Sequence, residues 1–419
     1  MIYGINDRIP AGKTIAFATQ LLLSCITASI LIANICGVPV SGALFGAGMA
    51  TLVYLLATKS DSPMFISNSG NYVAPVLLAL SMGGSFAVFI GGITACVIYC
   101  LFGIIFTKIP AKNIYKVFPE PLVGAVTIVI GITLMGFIGT YCQINGESNI
   151  WGVIVAITTA LIIALISHYA KGMVKILPFL LGTLSGYLIA IALTATGVCR
   201  LVDFSVFDGM KLFSKPTMAY SSFHSVDAKI IIPIVLVFAA YTVSAMMEAM
   251  SDHKVLGNII GVDLYEKPGL GRIFIGEGLA NLLSSFYGGL LTCSYGESVS
   301  CIGFSKVASP VVTGVAAIMM IILSFFEPIQ VFVSSIPSCV FGGCAIILYA
   351  FIAASGVRTL QNVDLNNNKN LLLVAMPLSI GISGIALGGA TFALSGTALA
   401  LIAGVVLNIV LKEKDADNG

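Results

Sequence analysis

The sequence predicts an all-α polytopic membrane protein with fourteen crossings, arranged as two halves of seven in opposite orientations. Of its 419 residues, 58% are hydrophobic and 9% are charged, and the mean hydropathy is +1.05. This composition is typical of integral membrane proteins. Apolar runs long enough to cross a hydrocarbon core of about 30 Å recur from end to end. One polar loop, 201–230, divides these runs into two sets of seven.

Twelve of the apolar runs are continuous, with about 17–22 residues each. They cover 15–36, 40–58, 86–107, 119–139, 151–169, 177–197, 231–250, 272–290, 309–326, 335–353, 370–386 and 391–411. Two further runs, 63–84 and 294–306, are interrupted by polar residues, Gly and Pro. We expect each of these two to form a short half-helix that is preceded by an extended strand.

The distribution of Lys and Arg predicts the orientation, because cytoplasmic loops carry an excess of these residues. Threading fourteen crossings with residue 1 in the cytoplasm puts sixteen basic residues on the cytoplasmic side and four outside. The four outside fall in or beside the long loop. The pattern therefore predicts that both termini are cytoplasmic. It also explains the basic residues as flank anchors and gives no indication of nucleic-acid binding.

The interrupted run is the third crossing in each half. Seven crossings per half force the halves into opposite orientations, as in the inverted repeats of many secondary transporters. Broken helices at matching positions are the best sequence indication of a binding site near the bilayer midplane, since irregular backbone is tolerated there only when it lines a cavity. The sequence therefore predicts a substrate site at the two breaks.

The second break reads "TCSYGESVS" and contains Tyr295, Gly296 and Glu297. A glycine lets a ligand approach the backbone, and a helix start offers free N–H groups. One explanation of Glu297 is that it complements its own helix dipole, which is worth about 0.3–1 kcal/mol. A carboxylate in the membrane costs about 2.5–3.5 kcal/mol on insertion scales, so the dipole alone does not offset it. We therefore expect Glu297 to bind substrate.

The first break reads "SNSGNYVAP" and places Ser69, Gly70 and Asn71 in the corresponding position. We expect these three residues to contact the substrate as well.

A second carboxylate, Glu248, follows about eighteen mostly apolar residues in the first crossing of the second half. An ionised carboxylate is costly in such an apolar segment, so a glutamate that binds and releases a proton is favoured at this position. Asp252 is four residues away on the same helical face, and we expect it to assist proton coupling. A solvated helix end is the alternative for Asp252, and the same alternative applies to His253. Glu277 is expected near the cytoplasmic interface.

Other classes of protein fit the residues less well. No metal motif such as HExxH and no nucleophile–base set indicates an enzyme. A channel needs a continuous polar pore, whereas the polar residues here cluster at one depth. A receptor that binds without transport remains an alternative, and counterflow in proteoliposomes distinguishes it.

Three widely separated stretches resemble the nucleobase–cation symporter family, also called nucleobase–ascorbate transporters or xanthine/uracil permeases, and within it the bacterial uracil permeases. They are "SPMFISNSGNYVAPVLLAL", "EAMSDHKVLGNIIGVDLYEKPGLGRIFIGEGLANLL" with the following "TCSYGESVS", and "VFGGCAIILYAFIAASGVRTL". The resemblance extends over nearly the whole chain.

The resemblance implies a transporter in the plasma (inner) membrane that imports a nucleobase, with uracil favoured, by proton symport. It implies no cofactor, with sodium the less favoured coupling ion, and a homodimer in the bilayer. It divides the chain into a first repeat, 1–200, and a second, 231–419. Core segments cover about 15–107 and 231–306, and gate segments cover about 119–197 and 309–411.

Residue by residue, the resemblance makes Glu248 and Glu297 the substrate-gripping carboxyls. It makes Gly296 a backbone donor, Gly70 a ring contact, and Tyr295 and Tyr349 pocket-lining residues.

The sequence also departs from the family pattern. Gly70 replaces an aromatic residue of uracil permeases. Asp252 is at a position where purine permeases have Asp, whereas Glu297 is the residue that uracil permeases have at its position. Ser298 and Ser300 replace the usual Asn and Gly. A purine (xanthine, guanine or hypoxanthine) permease is thus the alternative, and an anion transporter of the same architecture is more distant.

Overall fold

The computed structural model describes residues 1–108, 119–136, 138–144, 147–171, 174, 177–361, 363–385, 387–389, 392–394 and 396–411. Within them the helices are α1 (Ala11–Ile35), α2 (Val40–Ala57), α3 (Val73–Lys108), α4 (Glu120–Met135), α5 (Ile138–Tyr141), α6 (Ile150–Tyr169), α7 (Pro178–Ala195), α8 (Ala228–Ile260), α9 (Leu270–Gly288), α10 (Gly296–Ser305), α11 (Pro310–Ser324), α12 (Glu327–Ser335), α13 (Ser338–Leu360), α14 (Asn368–Ile382) and α15 (Gly396–Val410). The strands are β1 (Ile66–Asn68), β2 (Gln143–Ile144), β3 (Glu147–Ser148), β4 (Thr292–Ser294), β5 (Leu387–Gly389) and β6 (Phe392–Leu394). Residues 412–419, which include two of the predicted cytoplasmic basic residues, lie outside the described residues, as do 391 and 395 of the predicted crossing 391–411; its residues 392–394 form β6 rather than helix.

The prediction of a helical membrane protein is confirmed. Among the described residues, eight helical segments are long and apolar enough to cross a bilayer: Ala11–Ile35, Val40–Ala57, Gly70–Lys108, Glu120–Tyr141, Ile150–Tyr169, Pro178–Ala195, Ala228–Ile260 and Ser338–Leu360. The predicted segments 309–326, 370–386 and 391–411 contain shorter apolar helices.

Local sequence signals account for the helix boundaries that matter most for the site. The side chain of Asp227 accepts the N–H of Lys229 at 2.9 Å and so caps the start of α8. Gly261 ends α8 with a φ of 74°, and Gly289 ends α9 with a φ of 68°. Both glycines adopt the left-handed conformation that favours glycine after a helix. The helix α8 continues ten residues beyond the predicted end at 250.

The helix α3 is broken at Gly83 and Gly84. Gly84 has a φ of 62° and a ψ of −155°, a conformation that is essentially restricted to glycine. The break separates a short helix, which follows β1, from a long one. It falls where the sequence predicts the division between 63–84 and 86–107.

The helices pack in two groups. One group contains α1, α2, α3, α8, α9, α10 and α11, and the other contains α4, α6, α7, α13, α14 and α15. Contacts between the groups are few and connect α1 with α7 and α13, and α8 with α4 and α15. The helix α11 packs on α1 and α2, so it lies with the first group although the predicted gate range 309–411 includes it.

Glycines allow the closest helix approaches. A Cβ atom on Gly356 of α13 would lie 2.6 Å from the carbonyl oxygen of Gly124 on α4. A Cβ atom on Gly124 would lie 3.0 Å from the carbonyl oxygen of Gly356. Small residues at such crossings are typical of membrane helices, because close backbone packing drives their association. The α4–α13 crossing therefore depends on both glycines.

We expect Gly356→Val to destabilise the protein by about 1–3 kcal/mol, the usual cost of overpacking. Thermal unfolding of the detergent-solubilised protein measures this as a lower midpoint. Gly12→Val is the matched control, since nothing lies within 4 Å of a Cβ at Gly12. Equal midpoints for the two variants would contradict the proposed crossing.

Candidate functional site

The two sequence breaks meet in a two-stranded antiparallel pair. Ile66 of β1 lies opposite Ser294 of β4, and Asn68 lies opposite Thr292. Further hydrogen bonds extend the pairing, since Tyr295 N donates to Phe65 O at 3.1 Å. Because the strands are antiparallel, the helical segments that follow them begin at opposite ends of the pair. The pairing of β1 with β4 thus brings the two breaks together, and each break has the extended strand that the sequence predicts before its helix.

Both helix starts are glycines with open backbone. Gly296 is exposed, and no atom lies within 4 Å of a Cβ built on it. Gly70 begins a short 3₁₀ turn, Gly70–Tyr72, that leads into α3, and the side chain of Ser69 accepts the N–H of Asn71 at 3.3 Å. A Cβ at Gly70 would meet only Cδ1 of Ile352 on α13, at 3.2 Å. A flat ligand can therefore approach the backbone at both starts.

Glu248 interacts with the residue that follows each of these glycines. Nδ2 of Asn71 donates to its Oε2 at 2.6 Å, and Glu297 on the first turn of α10 lies within electrostatic range of Glu248. Both carboxyls are partly buried. Two carboxylates at one buried place repel each other, so keeping both ionised without a partner is costly. The structure therefore brings Asn71, Glu248 and Glu297 together.

Asp252 lies one turn beyond Glu248 and belongs to the same group of acids. Its carboxyl interacts with the side chain of Ser294 and lies within electrostatic range of Glu248 and Glu297. Its Oδ2 is buried and has no hydrogen-bond partner among the described residues. Asp252 therefore does not lie at a solvated helix end, which was the alternative interpretation of this residue.

His253 is fully buried, contrary to the expectation of a solvated helix end. Its Nδ1 donates to Ala249 O at 2.6 Å, and its Nε2 lies 2.5 Å from the hydroxyl of Tyr54 on α2. The helix α8 packs against its neighbours beyond Met250, which the local sequence does not reveal. The hydrogen bond between His253 and Tyr54 thus links α8 to α2.

Glu277 is also fully buried, although the sequence indicated the cytoplasmic interface. Its Oε1 accepts the N–H of Ser294 at 3.1 Å, and Oδ1 of Asn281 accepts the N–H of Thr292 at 2.9 Å. These two side chains of α9 thus provide hydrogen-bond acceptors for two backbone N–H groups of β4. The spacing of Glu277 and Asn281, four residues apart and hence on one face of α9, was the signal that could have identified this role.

The two tyrosines have different surroundings. The hydroxyl of Tyr295 donates to Asn68 O at 2.8 Å, so this side chain stabilises the end of β1. Tyr349 of α13 is fully buried within electrostatic range of Tyr141, and its hydroxyl has no hydrogen-bond partner among the described residues. Ile352, which sequence reasoning did not single out, is the α13 side chain that faces Gly70. No group of His, Cys, Asp and Glu side chains in the described part of the chain could hold a metal ion.

Comparisons of the sequence with known proteins identify its family. The Permease family model for xanthine/uracil permeases matches residues 12–389. The uracil permease of Bacillus caldolyticus is 33% identical over 416 residues, which cover 98% of this chain and 94% of that protein. The uracil permease of Escherichia coli K12 is 31% identical over 416 residues, with coverage of 98% and 94%.

Two solved structures share the fold. The transmembrane domain of a cyanobacterial bicarbonate transporter, BicA, has a TM-score of 0.67 at 13% identity, covering 98% of this chain and all of that domain. Murine solute carrier 26 family member A9, an anion transporter in the inward-facing state, also gives 0.67 at 13% identity, covering 98% of this chain and 69% of that protein. From the family model and these sequence matches, the chain belongs to the xanthine/uracil permease family and is a membrane transporter rather than an enzyme.

Proposed function

We propose that the protein is a secondary active transporter that imports a nucleobase, with uracil favoured, by proton symport across the plasma (inner) membrane. The observation that carries the proposal is the group of two open glycine starts and two carboxyls, Glu248 and Glu297, around one place in the fold. Relatives named uracil permease, 30–33% identical over nearly the whole chain, support a nucleobase as the substrate.

The chemistry of a nucleobase matches this group of partners. A planar, neutral ring with adjacent N–H and C=O groups offers donors to carboxylates and acceptors to backbone amides. In our proposal the ring N–H groups donate to Glu248 and Glu297, while the N–H groups at Gly70 and Gly296 donate to the ring carbonyls. One carboxyl binds a proton together with the substrate, because two charged carboxylates around one neutral ligand repel each other.

In the proposed mechanism, alternating access uses the two packing groups of helices. In the proposed arrangement, fourteen crossings form two inverted repeats of seven, with both termini cytoplasmic and two copies paired in the bilayer. The group around β1 and β4 is the core, and the group around α4 and α13 is the gate. The contact of Gly70 with Ile352 then lies between core and gate, and it opens when the core moves relative to the gate.

Two features favour a purine base as the second candidate. Gly70 carries no side chain over the ring position, so the pocket is wider there, and Asp252 adds a third acid with one unpartnered oxygen. The solved anion transporters share the fold at 13% identity, which concerns the fold alone. A group of three acids disfavours an anion as the substrate here.

Uptake of labelled uracil by bacteria that lack nucleobase transport tests the proposal. We expect saturable uptake in cells that express this protein, and we expect a protonophore to abolish it. Unlabelled xanthine, guanine and hypoxanthine serve as competitors. Absence of uracil uptake together with uptake of a purine would overturn uracil in favour of the second candidate.

A further inference from the structure

Asn71 makes a short hydrogen bond to the group of acids through only one end of its amide. Its side chain is 3% exposed, and Nδ2 donates to Glu248 Oε2 at 2.6 Å. Its Oδ1 is buried and has no hydrogen-bond partner among the described residues. The contact joins the first break to α8, across 177 positions of sequence.

In the described part of the chain, the titratable groups that interact with Glu248 include no cation. These groups are acids, a thiol and phenols that interact electrostatically with Glu248: Asp252, Glu277, Glu297, Cys293, Tyr72, Tyr99 and Tyr295. The acids repel a charged Glu248, and a thiol is a weak donor. A strong donor to the carboxylate is therefore needed if Glu248 is to be charged in the empty site.

An amide can serve a carboxyl in both of its protonation states. It presents two N–H donors to the carboxylate, and after a half-turn about its terminal bond it presents a carbonyl oxygen to the protonated acid. A serine can do the same with one hydroxyl, whereas an alanine can do neither.

We propose that Asn71 is a positioning residue for proton coupling, which holds Glu248 in both protonation states and stabilises its charged form when the site is empty. The inference rests on the proposed function for the role of that proton in transport. It also assigns Asn71 a role that is separate from direct contact with the substrate.

Infrared difference spectra of the purified, substrate-free protein over a range of pH test the inference directly. The carboxyl band that is missing in Glu248→Gln reports the protonation of Glu248. We expect Asn71→Ala to move the midpoint of this band to higher pH by about one unit, because a hydrogen bond to a charged group is lost. Asn71→Ser should keep most of the wild-type midpoint.

Asn34→Ala is the matched control, since the amide of Asn34 donates only to Ile30 O in its own helix, at 2.9 Å. We expect it to leave the midpoint unchanged. A wild-type midpoint in Asn71→Ala would overturn the inference. So would a shift of equal size in Asn34→Ala, because it would indicate a general loss of structure.

Uptake measured over the same pH range separates the two proposals. We expect Asn71→Ala to extend substrate uptake to higher pH by a similar amount. Absence of nucleobase uptake by the wild type would contradict the proposed function, and the infrared midpoint would still decide the role of Asn71. Normal wild-type uptake with an unchanged midpoint in Asn71→Ala would contradict this inference alone.

Discussion

Glu248→Gln is expected to abolish accumulation of substrate against its gradient. The substituted side chain has the same shape and keeps an oxygen for the amide of Asn71, which contacts Glu248 at 2.6 Å. It cannot take up or release a proton, so substrate movement is no longer linked to the proton gradient. We expect the ratio of internal to external substrate to fall to about one, as for uncoupled entry.

Counterflow in proteoliposomes provides the companion measurement, since exchange of labelled for unlabelled substrate requires no net proton movement. We expect Glu248→Gln to retain some exchange. Glu120→Gln is the control, because Glu120 is an exposed residue in the first turn of α4. If Glu248→Gln accumulated substrate as the wild type does, Glu248 would not carry the coupling proton.

Glu297→Ala is expected to reduce substrate affinity by about 10- to 100-fold. A hydrogen bond to a charged group contributes about 1.5–3 kcal/mol, and each 1.4 kcal/mol is a tenfold change in affinity. Glu297 follows the open Gly296 directly in the first turn of α10, so its loss removes an acceptor where the ligand approaches the backbone. Equilibrium binding of labelled uracil to the purified protein measures the change.

Glu297→Gln refines this test, because an amide keeps one acceptor and adds a donor. We expect it to bind more weakly than the wild type and more tightly than Glu297→Ala. Wild-type affinity in Glu297→Ala would contradict the assignment of Glu297 as a substrate ligand.

The fold follows from local sequence signals to a considerable extent. Apolar runs predict helices because the membrane leaves few other ways to satisfy backbone hydrogen bonds. The Gly83–Gly84 break and the strands before Gly70 and Gly296 occur where the sequence turns from apolar to small and polar. The end of α8 was predicted too early, because its last turns carry polar residues. His253 among them is buried through its contact with Tyr54, 199 positions away.

The candidate site was only partly predictable for a similar reason. Glu248, Glu297 and Asn71 stand out because a polar residue in an apolar segment requires an explanation. Ile352 does not stand out in this way, and the burial of Glu277 was not predicted, because both depend on contacts made across the fold. Glu277 meets Ser294 only when α9 packs beside β4, and Ile352 meets Gly70 only when α13 packs against the other group of helices.

Uptake by proteoliposomes with an imposed pH gradient is the most direct test of coupling between substrate and proton. The purified protein is reconstituted without a sodium gradient, and labelled uracil and internal pH are followed together. We expect uracil to accumulate when the outside is acidic, protons to enter with it, and a protonophore to abolish both. Accumulation that requires sodium, or that is equal with and without the pH gradient, would contradict proton symport.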